Sequence, residues 1–184
     1  MIRRLAVLTA LTIALTACSG NKGSDGVDPS TWAEKVCKSI EDQAAILGQA
    51  PDVNPNDPAK AKESLLTYLG NLSTGLNKLI GGVRDAGTPK ANDGTQVVDK
   101  VTTTLSEAKK SVDEAKSNLE KATVTDAASF QAARDKVSQD LQKLSELDDP
   151  TKDLKSNAEL NDAFNKAPSC QKLDQGGPST PPTT

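Results

Sequence analysis

Few side chains in this 184-residue chain are able to do chemistry. There are three cysteines, Cys18, Cys37 and Cys170, and no histidine. The missing imidazole removes the commonest metal ligand, the commonest general base and the usual partner of a nucleophilic serine. No Cys/His spacing suits zinc, and neither a phosphate-cradling glycine loop nor a nucleophile elbow occurs. One polar run invites calcium: Asp52, Asn54, Asn56 and Glu63 fall at positions 1, 3, 5 and 12 of a loop of the EF-hand type. Its sixth position needs glycine and is Asp57, while Pro58 reads as the first residue of a helix capped by Asp57. A chain that is helical from 58 cannot wrap Glu63 round an ion, so the run is expected to be an Asx-rich loop and a helix cap. The densest acidic group, Asp148, Asp149 and Asp153, is expected to be a solvated helix end. No catalytic, metal-ligating or cofactor-binding residue is assigned, and the chain is read as not an enzyme.

The N-terminus supplies the clearest motif. Arg3 and Arg4 precede an uncharged apolar run over residues 5–15, of signal-peptide length and too short to span a membrane. The run ends in Leu15-Thr16-Ala17-Cys18, which resembles the lipobox of bacterial lipoproteins. The resemblance implies a diacylglyceryl thioether on Cys18, since sulfur is the nucleophile that takes the lipid, and cleavage between Ala17 and Cys18. Residues 1–17 are then a removed signal, and the protein is expected at the extracytoplasmic face of the cell membrane, held by its lipid. Two or more acyl chains suffice for stable anchoring. With Cys18 given to lipid, Cys37 and Cys170 remain as an even pair in an oxidising compartment, and a disulfide is the expected pairing. The Trp32 to Cys37 opening, the Ala167-Pro168-Ser169-Cys170 close and the Pro/Thr tail add a resemblance to small secreted lipoproteins of the actinobacterial type. It implies the anchor rather than an activity.

Composition narrows the partners. Loss of the signal removes Arg3 and Arg4 and no acid, leaving 20 of 22 basic residues against 25 acidic ones. With that acidic balance and only Trp32, Tyr68, Phe130 and Phe164 as aromatics, nucleic acid is not an expected partner and a sugar-binding cleft is hard to build.

Helices must position whatever site exists. After a Gly- and Ser-rich leash over residues 18–27, a helix starts at Asp28-Pro29 or at Ser30-Thr31, where Thr31 and Glu34 form a capping-box pattern. Ala33, Cys37, Ile40, Ala44 and Leu47 define its expected inner face. A second helix runs over residues 58–86 on Leu65, Leu69, Leu72, Leu76, Leu79 and Val83, interrupted by Gly70, Gly75, Gly81 and Gly82. Close packing is the expected use of these glycines. The third helix carries a heptad on Val98, Val101, Leu105, Ala108, Val112, Ala115, Leu119 and Ala122. The fourth runs from Asp126 to Asp148-Asp149-Pro150 on Ala127, Phe130, Ala133 or Arg134, Val137, Leu141 and Leu144. A short fifth helix opens at Ser156-x-x-Glu159 and stops at Pro168, leaving Cys170 just beyond it. The predicted fold is all-α, an up-down bundle of four long helices plus a short C-terminal helix, over residues 28–173, with a disordered tail over 174–184.

Two functions follow. The first is a non-enzymatic, membrane-tethered binding or interaction module at the cell envelope, with another envelope protein or the cell wall as partner. The second is a carrier that holds a lipid or other apolar ligand within the bundle, suggested by the glycine-interrupted second helix beside small core residues.

Overall fold

The computed structural model describes residues 26–54, 56–147, 154 and 156–176. The signal, Cys18, most of the leash, the acidic group Asp148, Asp149 and Asp153, and the tail from 177 lie outside the described residues. The molecule is an all-α bundle. Its elements are α1 (Pro29–Leu47), α2 (Pro58–Ala86), α3 (Gly94–Lys121), α4 (Ala127–Gln142), a 3-10 turn (Lys143–Glu146), α5 (Ala158–Lys166) and α6 (Pro168–Gly176).

Local chemistry sets most helix starts. The Asp28 carboxylate accepts from the Ser30 and Thr31 N–H groups, with Pro29 as first helical residue. Asp57 accepts from Lys60 N–H at 3.1 Å ahead of Pro58, and Asn54 Oδ1 accepts from Asn56 N–H at 3.0 Å. The segment read against a calcium loop is therefore an Asx turn and a cap. Among the described residues no group of three Cys, Asp or Glu side chains is placed to share a metal. Asp126 and Ser129 form a reciprocal capping box on α4.

Side-chain contacts fix an antiparallel register. Ser39 and Leu47 of α1 lie against Gly82 and Gly75 of α2. Lys62 donates to the Glu120 and Ala122 carbonyls, and Ser73 Oγ donates to Asp113 at 2.5 Å, pairing α2 with α3. Asn118 donates to Asp140 at 2.7 Å and Lys143 to Glu114 at 3.0 Å, pairing α3 with α4.

The same register shows that α1 and α4 cover different halves of the α2–α3 hairpin. Leu47, the last residue of α1, reaches only the middle of α2 at Gly75. At 28 residues α3 is about 42 Å long, and at 16 residues α4 is about 24 Å. The core divides accordingly. The upper cluster joins Leu65, Leu69, Val112, Ala115, Leu119, Ala133 and Val137, from α2, α3 and α4. The lower one joins Trp32, Val36, Val83, Ala86, Val97, Val101 and Leu160, from α1, α2, α3 and α5. A third, smaller cluster of Ala33, Cys37, Ala163, Ala167 and Cys170 docks α5 and α6 on α1.

Four expectations change. The fourth helix leaves α geometry at Gln142 rather than near 148, so this fourth long helix is shorter than expected. Pro168 does end α5, but it also begins a further helix, so Cys170 sits in α6, which runs to Gly176. On α1 the buried residues are Trp32, Ala33, Val36, Cys37 and Gln43, while Ile40 is 37% exposed and Ala44 is exposed. Ile40 lies one turn beyond Cys37 and faces a pocket rather than a packed neighbour. In lower α3, Val97 and Thr104 are buried while Val98 and Leu105 are half-buried. A straight helix drifts about 20° per heptad against a 3.5-residue repeat, so a strict heptad cannot face one neighbour over this length.

Candidate functional site

The two named cysteines are joined. Cys37 of α1 and Cys170 of α6 form a disulfide with a Cα–Cα distance of 5.0 Å. A second long-range link reinforces it. Glu34 accepts from the Ser169 backbone N–H at 2.9 Å and from its hydroxyl at 2.7 Å, so a carboxylate on α1 caps the start of α6. These two bonds hold the Glu34 carboxyl below its ordinary value, with Lys172 and Lys38 adding to the effect. Glu34 is thus not the partner of Thr31 in a local capping box. Likewise Asn157, rather than Ser156, caps α5, accepting from the Glu159 and Leu160 N–H groups at 3.1 Å.

Trp32 closes the lower end, as its place near the start of α1 suggested. It is fully buried, its Nε1 donates to the Gly87 carbonyl at 2.8 Å, and Phe164 meets it edge-on at 5.7 Å between ring centroids. The chain leading in from the N-terminus is strapped to this end too. Val27 N–H donates to the Thr88 carbonyl, and Lys90 N–H to the Val27 carbonyl, each at 2.7 Å.

Between these fastenings lies an apolar pocket of about 440 Å³. Val36 and Ile40 of α1, Leu79 and Val83 of α2, and Val101 and Leu105 of α3 form three walls. Phe164 of α5, Leu173 of α6 and Leu154 close the fourth side, together with the disulfide. Polar groups gather at its edge, the Asn161 and Asn165 amides and the Asp174 carboxylate, while Ser39, also in the lining, turns its hydroxyl against Gly82. Asn161, Asn165 and Asp174 are exposed, so this edge is the mouth. Ile40 is the one exposed large apolar side chain among the described residues, and it lines the same pocket. The volume falls in the range of about 300–1,000 Å³ usual for small-molecule sites, and an apolar lining with a few polar groups is their ordinary chemistry.

Helix lengths shape the pocket. Lower α3 runs below the reach of α4, and α5 and α6 lean on α1, so none of the described elements α1 to α6 fills the angle in front of Val101 and Leu105, where Leu154 joins the lining. Sequence reasoning placed Ile40, Leu105 and Phe164 in the core. The available signal was the third helix, nearly twice the length of the fourth once the latter's end is known.

Two other hollows are lined mainly by polar and charged residues. One of about 520 Å³ lies between Asn92, Asp93, Gln96 and Lys100 on one side and Asn157 and Glu159 on the other. Another, about 710 Å³, is a shallow groove where Lys35, Lys38 and Lys78 alternate with Glu34, Asp42 and Asp85. Neither gathers groups of one kind about a point. No helix among the described residues is long and apolar enough to cross a membrane. No protein-family model matches this chain, and neither a curated protein nor a solved structure matches it.

Proposed function

We propose that this protein is a lipid-anchored, extracytoplasmic, non-enzymatic binding protein that holds an apolar ligand in the pocket between α1, α2, α3, α5 and α6. The observation that carries this reading is the apolar pocket of about 440 Å³ with Ile40 at its mouth. A separate docking surface for an envelope protein or the cell wall has less support. The exposed apolar side chain belongs to the pocket and forms no stripe of its own. The anchor on Cys18 rests on the lipobox resemblance. From Cys18 to Gly26 the leash spans at most about 29 Å, so it would keep the α2–α3 loop end near the bilayer and the pocket close to a supply of lipid.

The test is mass spectrometry of gently purified full-length protein beside a Leu105→Trp variant, which fills the pocket. The wild type is expected to carry a stoichiometric lipid and the variant none, with unchanged helix content. Wild-type protein carrying no lipid above background, and taking up none from vesicles, refutes the reading.

A further inference from the structure

We infer that the pocket's ligand is a single-chain lipid with an uncharged, hydroxyl-bearing head, a monoacylglycerol in chemistry, rather than an ionised fatty acid. The inference rests on the pocket being a ligand site and adds the class of ligand. Two observations carry it, one on volume and one on the mouth.

A methylene is about the size of a water molecule, whose share of liquid volume is about 30 Å³. A pocket of about 440 Å³ therefore takes roughly 15 such groups, one acyl chain of ordinary length and not two. The nine apolar side chains that line it offer that chain no hydrogen bond.

The mouth offers donors and acceptors of a particular mix. Asp174 presents a carboxylate, which only accepts, and Asn161 and Asn165 each both donate and accept. A head matching this set must supply O–H donors to Asp174 and oxygen acceptors to the amides. Glycerol hydroxyls do both. A fatty-acid carboxylate supplies acceptors only and would place a like charge beside Asp174, which disfavours it. Among the described lining residues no lysine or arginine offsets that charge. Lys172, next to Leu173 on α6, faces Glu41 at 3.8 Å instead.

The experiment uses the whole chain from position 18, with Cys18→Ser in place of the anchor, produced under oxidising conditions. It is titrated with 1-monomyristoylglycerol and with myristate below their aggregation thresholds, well above the carboxylate pKa range. Calorimetry gives the affinities. Emission from Trp32, the only tryptophan, reports occupancy through Phe164, which touches both ring and pocket. Monomyristoylglycerol is expected to bind at least tenfold more tightly than myristate. Asp174→Lys is expected to abolish or reverse that preference. A cation near the end of α6 suits the helix dipole, so the variant should fold. Equal or tighter binding of myristate to wild type overturns the head-group inference and leaves the pocket reading standing. A preference that survives unchanged in Asp174→Lys also overturns it. Binding of neither lipid overturns the pocket reading itself.

Discussion

Removing the disulfide should weaken the lower half of the molecule more than the upper. The perturbation is Cys37→Ala with Cys170→Ala. The bond joins residues 133 apart, and in the chain-entropy model a loop of that length restrains the unfolded chain by about 5 kcal/mol at 25 °C. For a domain of this size 1 kcal/mol moves the thermal midpoint by about 2–4 °C, so the expected loss is about 10–20 °C. Where that loss falls depends on the divided core. Apolar contacts among α2, α3 and α4 hold the upper cluster and involve neither cysteine. The small cluster docking α5 and α6 on α1 contains both, and beside it stand Glu34–Ser169, Lys172–Glu41 and the contacts of Trp32 and Leu160 in the lower cluster. Trp32 emission reports the lower half, and hydrogen exchange over residues 108–121 and 127–142 reports the upper. In the variant the Trp32 transition is expected to precede loss of protection in the upper helices, whereas the two coincide in wild type. A shift equivalent to less than about 1 kcal/mol would refute the loop-restraint argument. Coincident transitions in the variant would refute the two-part core.

The adjacent glycines of α2 should respond oppositely to alanine. A Cβ on Gly82 would fall 2.0 Å from Ser39 Oγ and 2.6 Å from its Cβ, so Gly82→Ala must push α1 from α2 and lower the thermal midpoint; around Gly81 nothing lies within 4 Å, and Gly81→Ala should stabilise by up to about 1 kcal/mol through helix propensity. Equal effects from the two would remove the close-packing account. Acid should loosen α6. The Glu34 carboxyl is depressed below 4.5 in the folded state, so its contribution is complete above the unfolded value and is lost as pH falls through the folded one. Protection factors in α6, the exchange rates corrected for the intrinsic pH dependence, are therefore expected to fall on acidification below about 4.5 in wild type and to lose that dependence in Glu34→Gln; identical profiles would show that Ser169 is not held by the charge.

What could be read from the sequence was mainly what is local. Asp28-Pro29, Asp57-Pro58 and Asp126 each announce a helix start because cap and capped N–H lie within three residues. The cysteine pairing was legible for a different reason, since allotting one of three thiols to lipid leaves a pair. The misread positions are those where a distant partner outbids a near one. Thr31 and Glu34 have capping-box spacing, yet Ser169, 135 residues away, offers Glu34 two donors. On α1 the heptad-like set from Ala33 to Leu47 is sound as a pattern, but only tertiary structure decides that Cys37 is packed against α6 while Ile40 faces the pocket. The pocket was beyond reach for the same reason, because it depends on where α4 stops and α5 lands.

The fastenings and the pocket belong to one physical argument. An enclosed void of about 440 Å³, at about 24 cal/mol per Å³, would cost on the order of 10 kcal/mol, comparable to the whole stability of an ordinary domain. The mouth between Ile40 and Asp174 avoids much of that penalty by admitting solvent or a ligand. Val36, Val83 and Val101 still pack together in the lower cluster behind the opening. The walls are also fastened at their ends, by Trp32 on Gly87, by Val27 along the α2–α3 loop, and by Glu34 and the disulfide on α6. In the upper half, where α4 fills the angle between α2 and α3, no described covalent link is present and apolar contact suffices. The lower half, which α4 does not reach, adds directional and covalent bonds to its apolar contacts.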